Sequence, residues 1–396
     1  MSSVRIQESV DDEHGAGALA VATTISMEVP LVDLAAQYVS LRHDITSAIR
    51  GVINRGDFVL GAAVRDFEAA FARYCGVPYA IAVGSGTDAL FLAMRALELH
   101  PGDEVIVPAM TFVATAEPVV YCGARPVFVD VRADDLLMDP NRVEAAITPR
   151  TRGIVPVHLY GRLADMGALG EIALRHDLWL LEDACQAHGA ARANRRAGSF
   201  GSMGAFSFYP GKNLGAYGDG GAITTQDSDL AQRLQMLRDH GSRAKYAHSE
   251  IGWCSRLDSI QAAILSVKLA HLDRWNAARV AAARSYDRLL DDRLERVGIL
   301  RLPERSVHHI YAVRVTGGRR DRVRELMVAA GVGVSIHYPT PVHRQEAFLA
   351  LGYGDVSLPV AEKAAGEVLS LPLYAEITPA QQRYVVDKLF SALARA

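Results

Sequence analysis

The chain has 396 residues, of which 50% are hydrophobic and 22% are charged, and its formal net charge is -3. This composition predicts a soluble globular protein of two or three domain-sized units and argues against nucleic acid or an anionic membrane as a partner. No apolar run reaches the roughly 18 residues that a membrane-spanning helix needs, and acidic residues stand where a secretory signal has basic ones. The four cysteines lie far apart without a CxxC pair, which favours reduced thiols over disulfides or a bound metal. We therefore expect a cytoplasmic protein.

The N-terminal region is predicted to contain a tail and two helices. Residues 1–27 mix Ser, Glu, Asp, Gly and Ala without a periodic apolar face, so we expect a mobile tail there. Apolar residues then recur at helical spacing from Leu31 to Arg55, and Gly56 closes the pattern as a helix C-cap would. A second helix with a similar apolar face follows and ends at Gly76.

The middle of the chain alternates strand-like and helix-like segments, which is typical of a mostly parallel sheet covered by helices. The runs of strand length are YAIAV, EVIVPAM, PVFVDV, GIVPVHLY, LWLLEDA, AFSFY and GGAITT. We therefore predict an α/β fold with a mostly parallel seven-stranded sheet in a large domain over residues 28–272. A long helix from about Leu257 to Trp275 is predicted at the end of this domain.

The remainder of the chain, residues 273–396, predicts a smaller α+β domain. It contains an arginine-rich helix, a strand at IYAVRV and a second strand at GVGVSIHYP. A helix from Arg322 to Ala330 separates the two strands, and a last helix begins at Pro379.

Polar groups follow several of the predicted strands, where α/β proteins bind ligands. The turn from Gly84 to Asp88 lies between a strand and a helix, where free N-H groups attract a phosphate, although a tight turn capped by Thr87 or Asp88 explains it as well. Asp183 ends a strand at the sheet edge that ligands approach. Lys212 follows a strand and a Pro-Gly pair, in a glycine-rich stretch that lets the backbone approach a ligand. Taken alone, Lys212 is explained more simply as a solvated loop lysine.

One ligand requires all three of these features. Pyridoxal phosphate (PLP) needs N-H donors for its phosphate, an anionic partner for its pyridine nitrogen and a lysine for its aldehyde. Phe112 follows another strand and is a candidate to cover the ring, and Ser207 lies close enough to Lys212 in the sequence to help hold the phosphate. Together these residues predict a PLP enzyme.

A series of stretches from about Val29 to the C-terminus resembles the DegT/DnrJ/StrS family of PLP-dependent sugar aminotransferases. The stretches are GDFVLGAAVRDFE, GSGTDAL, PGDEVIVPAMTFVATA, PVHLYGRLADM, EDACQAHGA, FSFYPGKNLGAYGDGG, SRLDSIQAAIL, IHYPTPVH and LSLPLY. The resemblance implies the fold type I architecture of aspartate aminotransferase. Similar proteins that act as dehydratases have histidine in place of the lysine, so Lys212 favours transamination.

The resemblance also implies roles for individual residues. Lys212 matches the lysine that binds the cofactor covalently and Asp183 the aspartate that faces the pyridine nitrogen, so these two are the predicted catalytic residues. The other implied cofactor contacts are Gly86 and Thr87 at the phosphate, Phe112 over the ring, Gln186 beside the phenolic oxygen and Ser207 at the phosphate.

Substrate residues are implied less directly. Tyr217, His337 and Tyr338 resemble residues near the family's sugar site, but tyrosine and histidine in apolar strands are as often core residues. Arg243 and Lys245 are candidates to meet a nucleotide diphosphate, and a solvated basic loop explains them equally well.

The implied reaction moves an amino group from an amino acid, L-glutamate, to a keto group of a nucleotide-linked deoxysugar. A dTDP-linked 3-keto-6-deoxy sugar in amino-sugar biosynthesis is the expected acceptor. The resemblance also implies a homodimer with the active site at its interface. Two alternatives stay open: an aminotransferase for a ketocyclitol, and a non-catalytic sensor of the same fold.

One segment departs from the family pattern. Many relatives have a G-x-N-x-R motif whose asparagine reaches the cofactor phosphate of the neighbouring subunit, whereas this chain reads GWCSR from Gly252 to Arg256. Cys254 is a much weaker hydrogen-bond donor than asparagine. Either that contact is lost, or Ser255 makes it.

Overall fold

The computed structural model describes residues 27–290, 299–301 and 306–396. The predicted tail therefore lies outside the described residues, except for Met27. Within the described ranges, no helix is both long enough and apolar enough to cross a membrane.

The described residues contain the strands β1 (Tyr79–Val83), β2 (Glu104–Pro108), β3 (Arg125–Val129), β4 (Thr151–Ile154), β5 (Trp179–Asp183), β6 (Ala191–Arg192), β7 (Arg195–Arg196), β8 (Met203–Ser207), β9 (Gly221–Thr225), β10 (Ser242–Ala244), β11 (Ala247–His248), β12 (Ile299–Arg301), β13 (Tyr311–Val315) and β14 (Val368–Leu371). A seven-stranded sheet lies at the centre of the larger part of the molecule, as predicted, in the order β1-β9-β8-β5-β4-β2-β3. Strand β9 is antiparallel to both of its neighbours, β1 and β8, and the other pairs in this sheet are parallel. The sheet is therefore mixed, with one antiparallel strand.

Strands β2 and β9 are buried along their whole length because helices cover both faces of the sheet. The main helices are Leu34–Arg55, Ala62–Cys75, Gly86–Ala96, Glu117–Tyr121, Pro140–Ala145, Met166–Arg175, Ser228–Leu237, Ser259–Leu269, Leu272–Leu290, Arg320–Ala329, Pro359–Glu367 and Pro379–Leu393. The first two helices end as predicted, at Gly56 with φ 69° and at Gly76 with φ 75°. Both values lie in the left-handed region that glycine adopts most readily.

The predicted long helix from Leu257 to Trp275 is two helices, Ser259–Leu269 and Leu272–Leu290. The prediction of one helix was wrong because no Gly or Pro marks the break in an otherwise continuous apolar pattern. Both helices pack on the first helix, since Ile264 and Trp275 are buried in one cluster with Leu41 and Ile45. The predicted domain boundary at residue 272 stays a prediction.

The C-terminal region contains a three-stranded antiparallel sheet in the order β12-β13-β14, packed with helices around a core of its own. The prediction of a strand at GVGVSIHYP was wrong. That segment forms isolated bridges, from Val332 to Val29 and from Ser335 to Ser370. The place beside β13 is taken by β14, which comes from the LSLPLY stretch.

Candidate active site

A cavity of about 590 Å³ lies at the carboxyl ends of strands β1, β2, β4, β5 and β8. It brings together residues that are far apart in the sequence, as expected for ligand sites of open α/β sheets. The predicted site residues that line it are Gly86, Thr87, Phe112, Asp183, Gln186, Ser207, Lys212, His337 and Tyr338.

One end of the cavity is formed by the first turn of the helix Gly86–Ala96, whose N-H groups have no partner within the helix. The helix cap is Ser85, whose Oγ accepts from the N-H of Asp88 at 3.0 Å, so the predicted cap at Thr87 or Asp88 was wrong. A Cβ atom at Gly86 would lie 2.6 Å from Cβ of Ser207. Only glycine therefore lets this turn lie against the end of β8.

Asp183 ends β5 and is 6% exposed. Its Oδ2 accepts a hydrogen bond from the hydroxyl of Thr115 at 2.7 Å, and its Oδ1 accepts from the N-H of Cys185 at 3.2 Å. Each oxygen of this carboxyl group therefore accepts one hydrogen bond from the protein. The sequence interpretation did not identify Thr115, because no local pattern shows which hydroxyl of the TFVAT stretch turns toward β5.

The preceding carboxylate, Glu182, points away from the cavity and has a structural role. It is fully buried and bonds to Nε2 of His158 at 2.9 Å. It also accepts from the N-H groups of Gly198, Phe200 and Gly201. Glu182 thereby fixes the loop before β8 to β5, beside Asp183.

Gln186 links the sheet to the C-terminal region. Its Oε1 accepts from the N-H of Tyr160 at 2.7 Å, and its Nε2 donates to the hydroxyl of Tyr338 at 3.0 Å. The Tyr338 ring lies 5.7 Å from the ring of Phe112, centroid to centroid. Burial raises the pKa of Tyr338, which keeps its phenol neutral. These contacts form a polar and aromatic wall on one side of the cavity.

Lys212 is partly buried and extends into the cavity. Desolvation lowers the pKa of its amine, while the neighbouring Cys185 and Asp183 act in the opposite direction. A lysine with a lowered pKa is a better nucleophile near neutral pH, because more of it is present as the free amine.

The glycine-rich stretch after Lys212 packs on the protein itself. A Cβ atom at Gly215 would overlap the carbonyl oxygen of Pro210, and one at Gly221 would overlap that of Ser85. At both positions the absence of a side chain permits a close contact between protein segments. The expectation that these glycines let the backbone approach a ligand stays a prediction.

Two histidines of the C-terminal region lie in the same cavity, and sequence reasoning missed one of them, His309. Burial lowers the pKa of His309 well below its ordinary value and that of His337 to about 4, and the charge of Lys212 acts in the same direction. Both imidazoles are therefore neutral. Nδ1 of His309 lies 3.3 Å from Oδ1 of Asn213, next to Lys212.

A sequence profile described as the DegT/DnrJ/EryC1/StrS aminotransferase family matches residues 39–390. The chain belongs to this aminotransferase family. Family membership agrees with the geometry, because the motifs GSGTDAL, EDACQAHGA, FSFYPGKNLGAYGDGG and IHYPTPVH each contribute residues to the cavity.

Several members of the aminotransferase family are similar over almost the whole chain. A "dTDP-3-amino-3,4,6-trideoxy-alpha-D-glucose transaminase" of Streptomyces venezuelae is 48% identical over 361 residues, 91% of this chain and 94% of the relative. A "pleiotropic regulatory protein" of Geobacillus stearothermophilus is 44% identical over 367 residues, 92% of this chain and 98% of the relative. The structure of S. venezuelae DesV, in complex with a ketimine intermediate, matches with a TM-score of 0.89 at 47% identity and covers 93% of this chain and 99% of that chain.

The aminotransferase family is PLP-dependent. One structural neighbour, ntda from Bacillus subtilis with bound PMP, matches with a TM-score of 0.87 at 34% identity and covers 98% of this chain and 90% of that chain. The cavity fits such a group. It contains a helix N-terminus for a phosphate, a hydrogen-bonded carboxylate and a desolvated lysine.

Other predicted residues lie outside this cavity. Tyr217 is not part of the lining, and its ring lies against Tyr38 of the first helix, with centroids 6.1 Å apart. Arg243 and Lys245 are exposed on the β10–β11 hairpin.

The segment Gly252 to Arg256, which departs from the aminotransferase family pattern, makes contacts within its own chain. Cys254 is exposed, and its sulfur accepts from Nη2 of Arg256 at 3.2 Å. Ser255 is buried; its hydroxyl accepts from the N-H of Gly84 at 3.0 Å and donates to Oδ2 of Asp88 at 2.8 Å. Ser255 thus stabilises the turn from Gly84 to Asp88 of its own chain.

Proposed function

We propose that this aminotransferase moves an amino group from L-glutamate to the 3-keto group of a dTDP-linked 6-deoxy sugar. The placement of Lys212 and Asp183 in one cavity carries the proposal, because an amine with a lowered pKa and a hydrogen-bonded carboxylate are the two groups that PLP chemistry demands. The choice of sugar is supported by the 48% identity to a transaminase of a dTDP-linked trideoxy sugar.

The cofactor is held by residues at both ends of the cavity. The first turn of the helix at Gly86 and Thr87, together with Ser207, binds the phosphate. Phe112 would cover the ring, and Gln186 would donate toward its phenolic oxygen. When bound, PLP supplies an aldehyde and an electron-withdrawing ring.

The two catalytic residues hold and move protons. Asp183 would accept a hydrogen bond from the pyridine nitrogen of a bound cofactor and keep the proton on that atom, and Thr115 holds the carboxylate in place. With the cofactor bound, the amine of Lys212 would take a proton from the substrate carbon that bears the amino group and deliver it to C4' of the cofactor. Its lowered pKa makes the free amine available for this task.

The acceptor sugar lies beside the HYP segment. His337 and Tyr338 line the cavity as neutral groups and provide hydrogen bonds to an uncharged sugar ring. Tyr217 lies outside the cavity of its own chain, so it would reach a sugar site only in the partner subunit of a homodimer. We propose that dimer, with the active site at the interface, and a cytoplasmic location.

Replacing Lys212 tests the catalytic assignment. We expect Lys212→Ala to abolish turnover and the visible absorption of the bound cofactor, because the amine that carries both is removed. Lys363→Ala is a matched control, since that lysine is exposed on the helix Pro359–Glu367. Normal turnover by Lys212→Ala would contradict the assignment.

A substrate panel tests the reaction. Purified protein is incubated with glutamate and with 3-keto and 4-keto nucleotide sugars or a ketocyclitol, and formation of 2-oxoglutarate is measured. We expect the 3-keto-6-deoxy dTDP sugar to be aminated fastest. Preference for the ketocyclitol would replace the proposed acceptor. Binding without 2-oxoglutarate would favour a sensor, the reading that the name of the G. stearothermophilus relative suggests.

A further inference from the structure

Lys268 is a fully buried lysine outside the cavity, on the helix Ser259–Leu269. Its Nζ donates a hydrogen bond to the carbonyl oxygen of Gly215 at 2.7 Å. The same atom lies 4.1 Å from the centroid of the Tyr217 ring, within the range of a cation-π contact. Gly215 and Tyr217, the two residues that Lys268 contacts, belong to the loop that carries Lys212.

The same helix holds this loop at a second place. The side-chain amide of Gln261 makes two bonds to the backbone of Tyr217, accepting from its N-H at 2.8 Å and donating to its carbonyl oxygen at 3.4 Å. Gln261 fixes the position of this backbone, and Lys268 fixes Gly215 and the ring of Tyr217. Two side chains of one helix therefore hold the stretch 215–217.

The held stretch is connected to Lys212 through close packing. Gly215 lies so near the carbonyl oxygen of Pro210 that no Cβ atom fits between them. The N-H of Ala216 donates to the carbonyl of Phe208 at 2.7 Å, and the N-H of Lys212 donates to that of Tyr209 at 2.9 Å. A displacement of Gly215 is therefore passed to the residues on both sides of the catalytic lysine.

We propose that Lys268 is a positioning residue whose positive charge holds the Lys212 loop in its active form, so that loss of its proton loosens the loop and slows the aminotransferase reaction. The proposal rests on the assignment of Lys212 as the catalytic lysine. It adds a second lysine, one that touches neither the cofactor nor the substrate.

The surroundings of Lys268 make its charge sensitive to pH. Burial lowers the pKa of Lys268 to about 8, and the nearby charge of Glu376 acts in the opposite direction. Tyr217 and Tyr38 are the titratable phenols on this side, and Arg42 lies beyond Tyr38, 6.0 Å from its ring centroid. A neutral amine keeps an N-H for Gly215 but loses the cation-π contact with Tyr217.

Amide hydrogen exchange of the loop tests the proposal without depending on turnover. In the wild-type holoenzyme, we expect exchange of the peptide covering residues 209–221, corrected for intrinsic rates, to rise between about pH 7 and about pH 9. The Lys268→Arg variant should stay protected across this range, because arginine remains charged. Lys268→Met should exchange rapidly at every pH.

Activity profiles give the second readout. We expect the kcat of the wild type to fall as the pH rises, with a midpoint near the pH at which loop exchange increases. The Lys268→Arg variant should lack this inflection. The kcat of Lys268→Met should be lower by about tenfold at all pH values, and its pH profile should lack the inflection that we assign to Lys268. Lys212 also titrates, so an inflection that persists unchanged in both variants belongs to Lys212 and contradicts the proposal.

Two further outcomes are decisive. Loop protection that is flat across this pH range in the wild type overturns the proposal, even if neither variant folds. A loop that responds as expected in a protein without turnover supports the positioning contact and overturns the proposed function instead. Lys363→Met serves as the control for a lysine substitution on the surface.

Discussion

Thr115 donates its hydroxyl hydrogen to Oδ2 of Asp183 over 2.7 Å and lies 2.7 Å from the hydroxyl of Thr111. Because the hydrogen of Thr115 is committed to the carboxylate, Thr111 is the donor of the second bond. The two threonines follow β2, whereas Asp183 ends β5. A short relay of hydroxyl groups thus fixes the carboxylate that we assign to the pyridine nitrogen.

Removing the hydroxyl of Thr115 is predicted to impair catalysis. Thr115→Val keeps the volume but deletes a hydrogen bond to a charged group, which contributes about 1.5 to 3 kcal/mol. We expect kcat to fall by about tenfold or more and cofactor affinity to decrease. Thr115→Ser restores the donor and should behave nearly as the wild type. Equal kcat values for the Val and Ser variants would contradict the assigned role of Thr115.

The contact between Gly86 and Ser207 predicts a different effect. Gly86→Ala places a Cβ atom 2.6 Å from Cβ of Ser207, so the helix must move away from β8. We expect weaker cofactor binding, measured by titration of the apoprotein, together with lower stability to urea. Gly170→Ala is the matched control, because Gly170 is also helical and nothing lies within 4 Å of its Cβ position. That variant should be more stable by up to about 1 kcal/mol and bind cofactor normally.

Much of the fold follows from local patterns in the sequence. Each of the seven apolar runs overlaps one strand of the sheet, because a strand buried on both faces needs a largely apolar run, although only the first residues of GIVPVHLY belong to β4. The helix ends at Gly56 and Gly76 follow from the left-handed conformation that glycine adopts at a C-cap.

Contacts between distant segments could not be predicted in this way. The break near His271 has no Gly or Pro to mark it, and the segment GVGVSIHYP alternates like a strand although β14 takes the place beside β13. Tyr217 is close to Lys212 in sequence but lies outside the cavity, and its backbone is bonded to Gln261 instead. His309 lies in the cavity although no local motif marks it.

The last prediction concerns Glu362, which joins two segments of the C-terminal region. Its Oε1 accepts from Nε2 of the fully buried His343 at 3.0 Å, from Nε of Arg344 at 3.1 Å and from the N-H of Leu358 at 3.1 Å. The hydrogen bond from His343, followed by that from Leu358, lowers the pKa of Glu362 to about 2. Burial lowers the pKa of His343.

Both shifts predict that acid destabilises this region. His343 favours the folded state while neutral, so its contribution is lost as the pH falls below its ordinary value of 6.5. Glu362 favours the folded state while ionised, so its contribution is present above 4.5 and is lost as the pH falls toward about 2. We expect the free energy of unfolding in urea to decrease in two stages over these ranges.

Replacing Glu362 isolates the second stage. Glu362→Gln should destabilise the protein by about 1 kcal/mol at neutral pH, a small value because the side chain is 32% exposed, and should flatten the loss of stability below pH 4.5. Glu346→Gln, an exposed carboxylate of the same region, should leave the profile unchanged. If Glu362→Gln and the wild type lose stability in parallel below pH 4.5, another carboxylate controls the acid transition.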